Sequence, residues 1–209
     1  LDIEPITDNQ KKLFDAYAQD KHLVAYGTAG TGKTFISLYN ALADILDETT
    51  PYERIYLVRS LVSTREIGFL PGDHEDKADI YQIPYKNMVK YMFQMPTDAD
   101  FEMLYGNLKA QETIKFWSTS FIRGTTLDNA IVIVDEFQNL NFHELDSIIT
   151  RIGENSRIIF CGDARWYIDL ASQRCIGREF ICHRCCGDGC SFIWWGLCDC
   201  LVFRTFTAK

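Results

Sequence analysis

The chain has 209 residues, of which 47% are apolar, 13% aromatic and 24% charged. This length suits one α/β domain with a buried core, and the composition excludes collagen-like, disordered and membrane-bundle proteins. The net charge of −8 argues against a protein that coats nucleic acid through bulk electrostatics. No apolar run approaches about 18 residues and no signal-peptide pattern opens the chain, so we expect a cytoplasmic protein without a membrane partner. Because the chain opens on Leu1 rather than Met, we expect a fragment or a processed product whose true start is missing.

Most of the chain alternates short apolar runs with amphipathic stretches, which is the pattern of βαβ units and a mainly parallel sheet. A first helix is predicted to begin near Asp8, with Thr7 as its cap. The run His22–Tyr26 then predicts a compact strand that stops at Gly27. A second helix is predicted from residue 33 to about 45, because its apolar residues recur at the spacing of a face packed on a sheet.

Four later apolar runs predict further strands, buried on both faces of the sheet. They are Arg54–Arg59, Phe116–Ile122, Ala130–Val134 and Arg157–Cys161. Between the last two, Asn141 and Glu144 have the spacing of a capping box, and the helix that they begin is predicted to reach Gly153. The less regular stretch before the second run predicts a turn at Gly68–Asp73 and a helix around Tyr85–Phe93.

One segment carries a pattern for binding phosphate groups, G-x-x-x-x-G-K-[ST]. Its residues are Gly27, Thr28, Ala29, Gly30, Thr31, Gly32, Lys33 and Thr34. The glycines allow backbone N–H groups to turn towards phosphate oxygens, and the following helix adds a favourable dipole. Lys33 is predicted to reach the β and γ phosphates of a nucleotide, and Thr34 to ligate Mg²⁺. The alternative is a glycine turn that binds no ligand.

Two acidic residues, Asp135 and Glu136, follow the predicted strand at residues 130–134. Asp135 is predicted to hold Mg²⁺ through water, and Glu136 to orient or deprotonate an attacking water. A phosphotransferase takes its nucleophile from a second substrate and has less need of this glutamate, so the pair favours hydrolysis over a small-molecule kinase. The alternative is a pair of acids that only caps a turn.

Five short motifs occur together along the chain. They are Thr28–Thr34, Gly68–Gly72, Ile122–Gly124, Val134–Asn139 and Cys161–Asp163. This combination resembles the PhoH family of phosphate-starvation-inducible ATPases, especially the short forms carried by tailed phages. The resemblance covers about residues 6–163, and it implies an ATP-binding α/β domain of the P-loop NTPase fold with a core like the first RecA-like domain of superfamily 1 helicases.

The resemblance also implies roles for single residues. Gln10, with Thr7, occupies the place of a motif that reads adenine, and a carboxamide can donate and accept hydrogen bonds at once. Gln138 resembles the catalytic glutamine that senses the γ-phosphate. Arg59 and Arg123 are candidates for contacts to phosphate, to a single nucleic-acid strand, or to the nucleotide of a neighbouring subunit in a homo-oligomer. The alternative for each arginine is a surface salt bridge.

The leading hypothesis is therefore an ATP-binding, Mg²⁺-dependent ATPase whose hydrolysis changes its grip on RNA or single-stranded DNA. The nucleic-acid partner rests on the resemblance alone. The alternative is a nucleotide-dependent assembly or regulatory protein that acts on other proteins, which the net charge of −8 mildly favours.

Residues 164–209 differ in composition from 1–163, since they hold seven of the eight cysteines and three of the four tryptophans. We therefore predict an ATPase domain over 1–163 and an atypical Cys- and Trp-rich tail over 164–209. Candidate zinc ligands occur in the tail, but they do not form the two separated pairs that are typical of a zinc site. They are Cys182, His183, Cys185, Cys186 and Cys190. A disulfide scaffold conflicts with a cytosolic chain.

The preferred explanation of this tail is a shift of reading frame near Arg165. The frame one base earlier replaces each Cys and Trp codon with a codon for Leu, Met or Val, which gives apolar residues at the spacing of a buried helix face. Such a product would lack the last helix and strand of the core and leave an edge of the sheet bare. A genuinely divergent tail is the alternative.

Overall fold

The computed structural model describes residues 2–60, 74–118, 124–163 and 202–206. Its helices are α1 (Asp8–Tyr17), α2 (Lys33–Leu46), α3 (His74–Phe93), α4 (Asp98–Ala110) and α5 (Phe142–Ile149). Its strands are β1 (His22–Tyr26), β2 (Arg54–Arg59), β3 (Ile114–Ser118), β4 (Ala130–Asp135), β5 (Arg157–Gly162) and β6 (Val202–Phe206). A short 3₁₀ helix follows β4 at Phe137–Asn139.

Within these ranges the strands form one sheet in the order β3-β2-β4-β5-β1-β6. All neighbouring pairs from β3 to β1 are parallel, whereas β6 runs antiparallel to β1. The predicted α/β class with a mainly parallel sheet is confirmed. Because the five parallel strands point the same way, the carboxyl ends of β1, β5 and β4 lie side by side at one end of the sheet. β6 covers the outer side of β1.

Helices cover both faces of the sheet, and alternate residues of β4 show the division. Ile131 and Ile133 belong to a core that includes residues of α1, α2, α3 and α4. Val132 and Val134 belong to a second core with Leu145 and other residues of α5. The four β4 residues are fully buried, as expected for a strand covered on both faces.

The predicted start of α1 is confirmed, because the Thr7 side chain accepts from the backbone N–H of Gln10 and completes a capping box. The capping box of Asn141 and Glu144 is likewise present at the start of α5. The predicted end of α5 is wrong: the helix stops at Ile149 rather than near Gly153. Residues 150–153 leave the helix because they pair with Leu127, through Leu127 N to Arg151 O (2.8 Å) and Gly153 N to Leu127 O (2.9 Å).

The region between β2 and β4 departs most from the sequence-based picture. Helix α3 ends at Phe93 as predicted, but it begins at His74, well before the predicted Tyr85. Helix α4, which Thr97 caps through the N–H of Asp100, was not predicted. Strand β3 begins at Ile114 rather than Phe116. The predicted turn at Gly68–Asp73 lies outside the described residues, and no helix in the described ranges is long and apolar enough to cross a membrane.

At the amino end of the sheet, opposite the glycine-rich segment, the buried side chain of Arg157 joins β5 to α1 and β1. Its Nη2 donates to the carbonyls of Tyr17 and Lys21, at 3.0 Å each. The guanidinium carbon lies 4.0 Å from the centroid of the Tyr17 ring, and Nη1 is 3.3 Å from a carboxylate oxygen of Asp20. Beside it, His22 Nδ1 accepts from the backbone N–H of the next β5 residue at 3.1 Å.

Candidate functional site

The glycine-rich segment 27–34 lies where β1 ends and α2 begins, as its sequence pattern predicts. Gly30 and Gly32 have φ angles of +79° and +83°, which few residues with a Cβ adopt. Gly32 is also the N-cap of α2 and makes no side-chain cap. The segment is tied to β5, because Gly27 N donates to Gly162 O at 3.2 Å. The backbone therefore bends at the amino end of a helix, which is a favourable place for an anion.

Lys33 folds back into this bend and is only 8% exposed. Its ammonium donates to the carbonyls of Gly27 (3.1 Å) and Thr28 (2.7 Å) and to the Thr31 hydroxyl (3.3 Å). Burial lowers the pKa of Lys33, and nearby acidic groups such as Asp135 oppose that shift. Neutral oxygens hold the ammonium, and an anion that entered the bend would offer it a charged partner.

The structure brings Thr34 and Asp135 together, although they are 101 positions apart in sequence. The Thr34 hydroxyl donates to Asp135 Oδ1 at 2.6 Å, and Tyr85 donates to Oδ2 at 2.6 Å. A hydroxyl has one proton and two lone pairs, so Thr34 can keep this bond and still offer a lone pair to a cation. The two oxygen donors fit Mg²⁺, which usually takes one or two protein ligands and completes its shell with phosphate and water. No cluster of three or more metal-ligating side chains occurs in the described part of the chain, and the candidate zinc ligands of the tail lie outside it.

Glu136, the next residue, has a left-handed backbone with φ +50°, which turns its side chain away from the line of β4. One carboxylate oxygen lies 3.5 Å from Arg59 Nη2. The other accepts from Gln138 (3.3 Å) and Asn139 (3.1 Å). The Gln138 oxygen in turn accepts from Asp163 N at 3.0 Å, so Gln138 links Glu136 to the end of β5.

The structure places Gln10 beside the bend, with its amide donating to Thr31 O at 3.2 Å. Its side-chain oxygen already accepts from the N–H groups of Ile6 (2.8 Å) and Thr7 (3.3 Å). One N–H therefore stays available to an adenine edge, while the oxygen serves the start of α1. The adenine role of Gln10 stays a prediction.

Of the two candidate arginines, only Arg59 lies among the described residues. Arg59 makes the ion pair with Glu136 described above, and Arg123 lies outside the described residues. Sequence reasoning missed Tyr85 as a member of the site. Its position in α3 belongs to no motif and gave no signal, because only the tertiary fold brings its hydroxyl to Asp135 at the end of β4.

These features define an α/β domain of the P-loop NTPase type: a glycine-rich bend after a parallel strand, a buried lysine in it, and an acidic pair at the end of a neighbouring strand. A model of the PhoH-like protein family matches residues 2–183, and the chain therefore belongs to that family. The family is of the nucleotide-binding P-loop type. The matched span reaches beyond Asp163, where the motifs that carried the resemblance end.

Several bacterial relatives are similar over most of the chain. A PhoH-like protein of Mycobacterium leprae is 32% identical over 80% of this chain and 46% of its own length. A PhoH-like protein of Synechocystis sp. is 36% identical over 70% of this chain and 43% of its own length. Protein PhoH of Escherichia coli is 33% identical over 76% of this chain and 43% of its own length. The chain spans less than half the length of these relatives.

Proposed function

We propose that the chain binds ATP with Mg²⁺ and hydrolyses it. The observation that carries the proposal is the hydrogen bond of 2.6 Å between Thr34 and Asp135. It joins the residue that ends the glycine-rich bend to the acidic pair of β4. A nucleotide held by the bend therefore has its terminal phosphates next to two oxygen donors for a metal and one further carboxylate.

Each residue then has a definite task. Backbone N–H groups at the start of α2 bind phosphate oxygens, and Lys33 exchanges its carbonyl partners for the β and γ phosphates. Thr34 and Asp135 hold Mg²⁺, which supplies neutralisation of the charge that develops on the phosphates. Glu136 orients the attacking water or accepts its proton.

Gln138 is proposed to sense the γ-phosphate, because its amide contacts Glu136 and its oxygen accepts from Asp163 N. A shift of Gln138 towards the phosphate would change its contacts with Glu136 and with Asp163 N at the same time. Gln138 thereby connects occupancy of the nucleotide site to the end of β5, and through Glu136 to Arg59 on β2.

The finer proposal is that hydrolysis is coupled to binding of RNA or single-stranded DNA, and that copies of the chain assemble as a homo-oligomer. Family resemblance supports both. The second candidate is a nucleotide-dependent switch that acts on other proteins. The net charge of −8 favours this second candidate, since a phosphate backbone is repelled by an acidic protein.

Two substitutions test the ATPase. Lys33→Ala should abolish binding of a fluorescent ATP analogue. Glu136→Gln should keep binding and lower phosphate release by roughly 100-fold or more, as removal of a general base does. Lys90→Ala and Glu102→Gln are matched controls, because both residues make exposed ion pairs away from the bend. Equal turnover of Glu136→Gln and the unaltered chain would contradict the proposal.

The partner is tested separately, by adding RNA or single-stranded DNA to the turnover assay. Faster phosphate release supports the coupled ATPase. An unchanged rate over a range of salt concentrations favours the switch that acts on proteins, because binding to a nucleic-acid backbone strengthens steeply at low salt.

A further inference from the structure

Tyr85 is a buried residue of α3 whose hydroxyl reaches the candidate magnesium site. It is 2% exposed, and its ring packs against Phe116 of β3, with centroids 5.8 Å apart. The hydroxyl donates to Asp135 Oδ2 at 2.6 Å. Helix α3 belongs to the connection between β2 and β3. This hydrogen bond therefore joins the end of β4 to an element that contains neither the glycine-rich segment nor the acidic pair.

The guanidinium of Arg59 lies close enough to this hydroxyl to interact with it electrostatically. Tyr85 therefore lies between a cation and the carboxylate to which it donates. Arg59 also contacts Glu136. One hydroxyl is therefore connected to the proposed metal ligand directly and to the proposed general base through one arginine.

Both oxygens of Asp135 are fixed by hydroxyl groups from opposite sides, Oδ1 by Thr34 and Oδ2 by Tyr85. Each carboxylate oxygen accepts more than one hydrogen bond, so both retain lone pairs for metal-bound water. A carboxylate held in this way is orientated before a metal arrives, and partners of this kind strengthen metal binding without touching the metal.

We infer that Tyr85 is a positioning residue for Mg²⁺: it holds the carboxylate of Asp135 in the orientation in which that residue and Thr34 bind the metal of a metal–nucleotide complex. This inference rests on the proposed function. The role belongs to the hydroxyl, because the ring alone would only fill the core.

The chain offers a matched control in Tyr52. It is also buried, and its hydroxyl donates to Asp20 Oδ1 at 2.5 Å. Tyr52 precedes β2 and Asp20 precedes β1, so this pair lies at the amino end of the sheet, away from the bend. Tyr85→Phe and Tyr52→Phe each delete one hydroxyl bonded to an aspartate, and only the first lies at the proposed site.

The experiment measures the dissociation constant of a fluorescent ATP analogue in EDTA and in saturating Mg²⁺, for the full chain and both variants. The ratio of the two constants is the gain in affinity that the metal supplies. We expect Tyr85→Phe to reduce this gain by about 10- to 100-fold, as loss of a partner of a metal ligand does. Its affinity in EDTA should stay within about twofold of the unaltered chain. Tyr52→Phe should leave the gain unchanged.

Thermal unfolding in EDTA accompanies the titration. If Tyr85→Phe keeps the full gain, shows a larger one, or loses its fold in metal-free buffer, Tyr85 has a purely structural role and the inference is overturned. An unaltered chain that gains no affinity from Mg²⁺, or does not bind the analogue, refutes the proposed function itself. A full gain in Tyr85→Phe beside a full gain in the unaltered chain overturns the inference alone, which separates the two failures.

Discussion

Replacing Arg157 with Met tests how the amino ends of β1 and β5 are held together. Methionine keeps an unbranched apolar stem of similar length, so the substitution removes the guanidinium with little change of volume. The carbonyls of Tyr17 and Lys21 then lose the donor that each has at 3.0 Å. The Tyr17 ring loses the cation above its face.

The expected loss follows from these contacts. Hydrogen bonds from a charged donor contribute about 1.5–3 kcal/mol each, and a desolvated cation–ring contact about 2 kcal/mol. The Asp20 side chain is 66% exposed, so its ion pair contributes only about 0–1 kcal/mol. Burial of the methionine stem offsets part of the sum. A net loss of about 3–5 kcal/mol results, which agrees with the loss of one partner from other buried pairs.

Urea unfolding followed by circular dichroism measures this loss, and a fall in Tm of roughly 10 °C should accompany it. Lys90→Met is the control, because Lys90 pairs with Asp98 at 2.8 Å at the surface, with side chains 47% and 86% exposed. Its effect should stay below about 0.5 kcal/mol. If Arg157→Met unfolds within about 1 kcal/mol of the unaltered chain, the buried guanidinium does not stabilise the fold as reasoned here.

Two further predictions concern His22 and Cys161. Burial, with Arg157 adding to it, lowers the pKa of His22, so the unfolded chain binds protons more readily below about pH 6.5 and the free energy of unfolding should fall from pH 7.5 to 5.5. Urea unfolding across this range should lose part of that fall in His22→Gln but not in a control at the exposed His143; equal slopes in all three chains argue against it. Burial raises the pKa of the Cys161 thiol to about 12, so iodoacetamide at pH 8 followed by peptide mass mapping should find Cys161 alkylated only after unfolding, and rapid alkylation of the folded chain contradicts its burial.

The candidate site was predictable where a short stretch of sequence determines the backbone conformation. The bend needs positive φ at Gly30 and Gly32, and both glycines belong to the eight-residue pattern that ends in Lys33 and Thr34. The approach of Thr34 to Asp135 followed from topology, because the carboxyl ends of parallel strands meet at one end of a sheet. Neither step requires knowledge of side-chain packing.

The parts that were missed depend on contacts between distant segments. Tyr85 reaches Asp135 only because α3 packs on the sheet, and nothing in its neighbours along the chain signals that position. Helix α5 ends early because residues after Ile149 pair with Leu127, which overrides the apolar spacing that predicted a longer helix. Helix α4 is the exception, because its start has a local signal that was overlooked: Thr97 is a capping residue followed by acidic residues in the first turn.

The position of Lys33 also bears on how a ligand enters. Since its ammonium already lies among loop oxygens, most of its hydration shell is removed before any anion arrives. In the proposed function, entry of a triphosphate would therefore exchange one set of oxygens for another around the Lys33 ammonium.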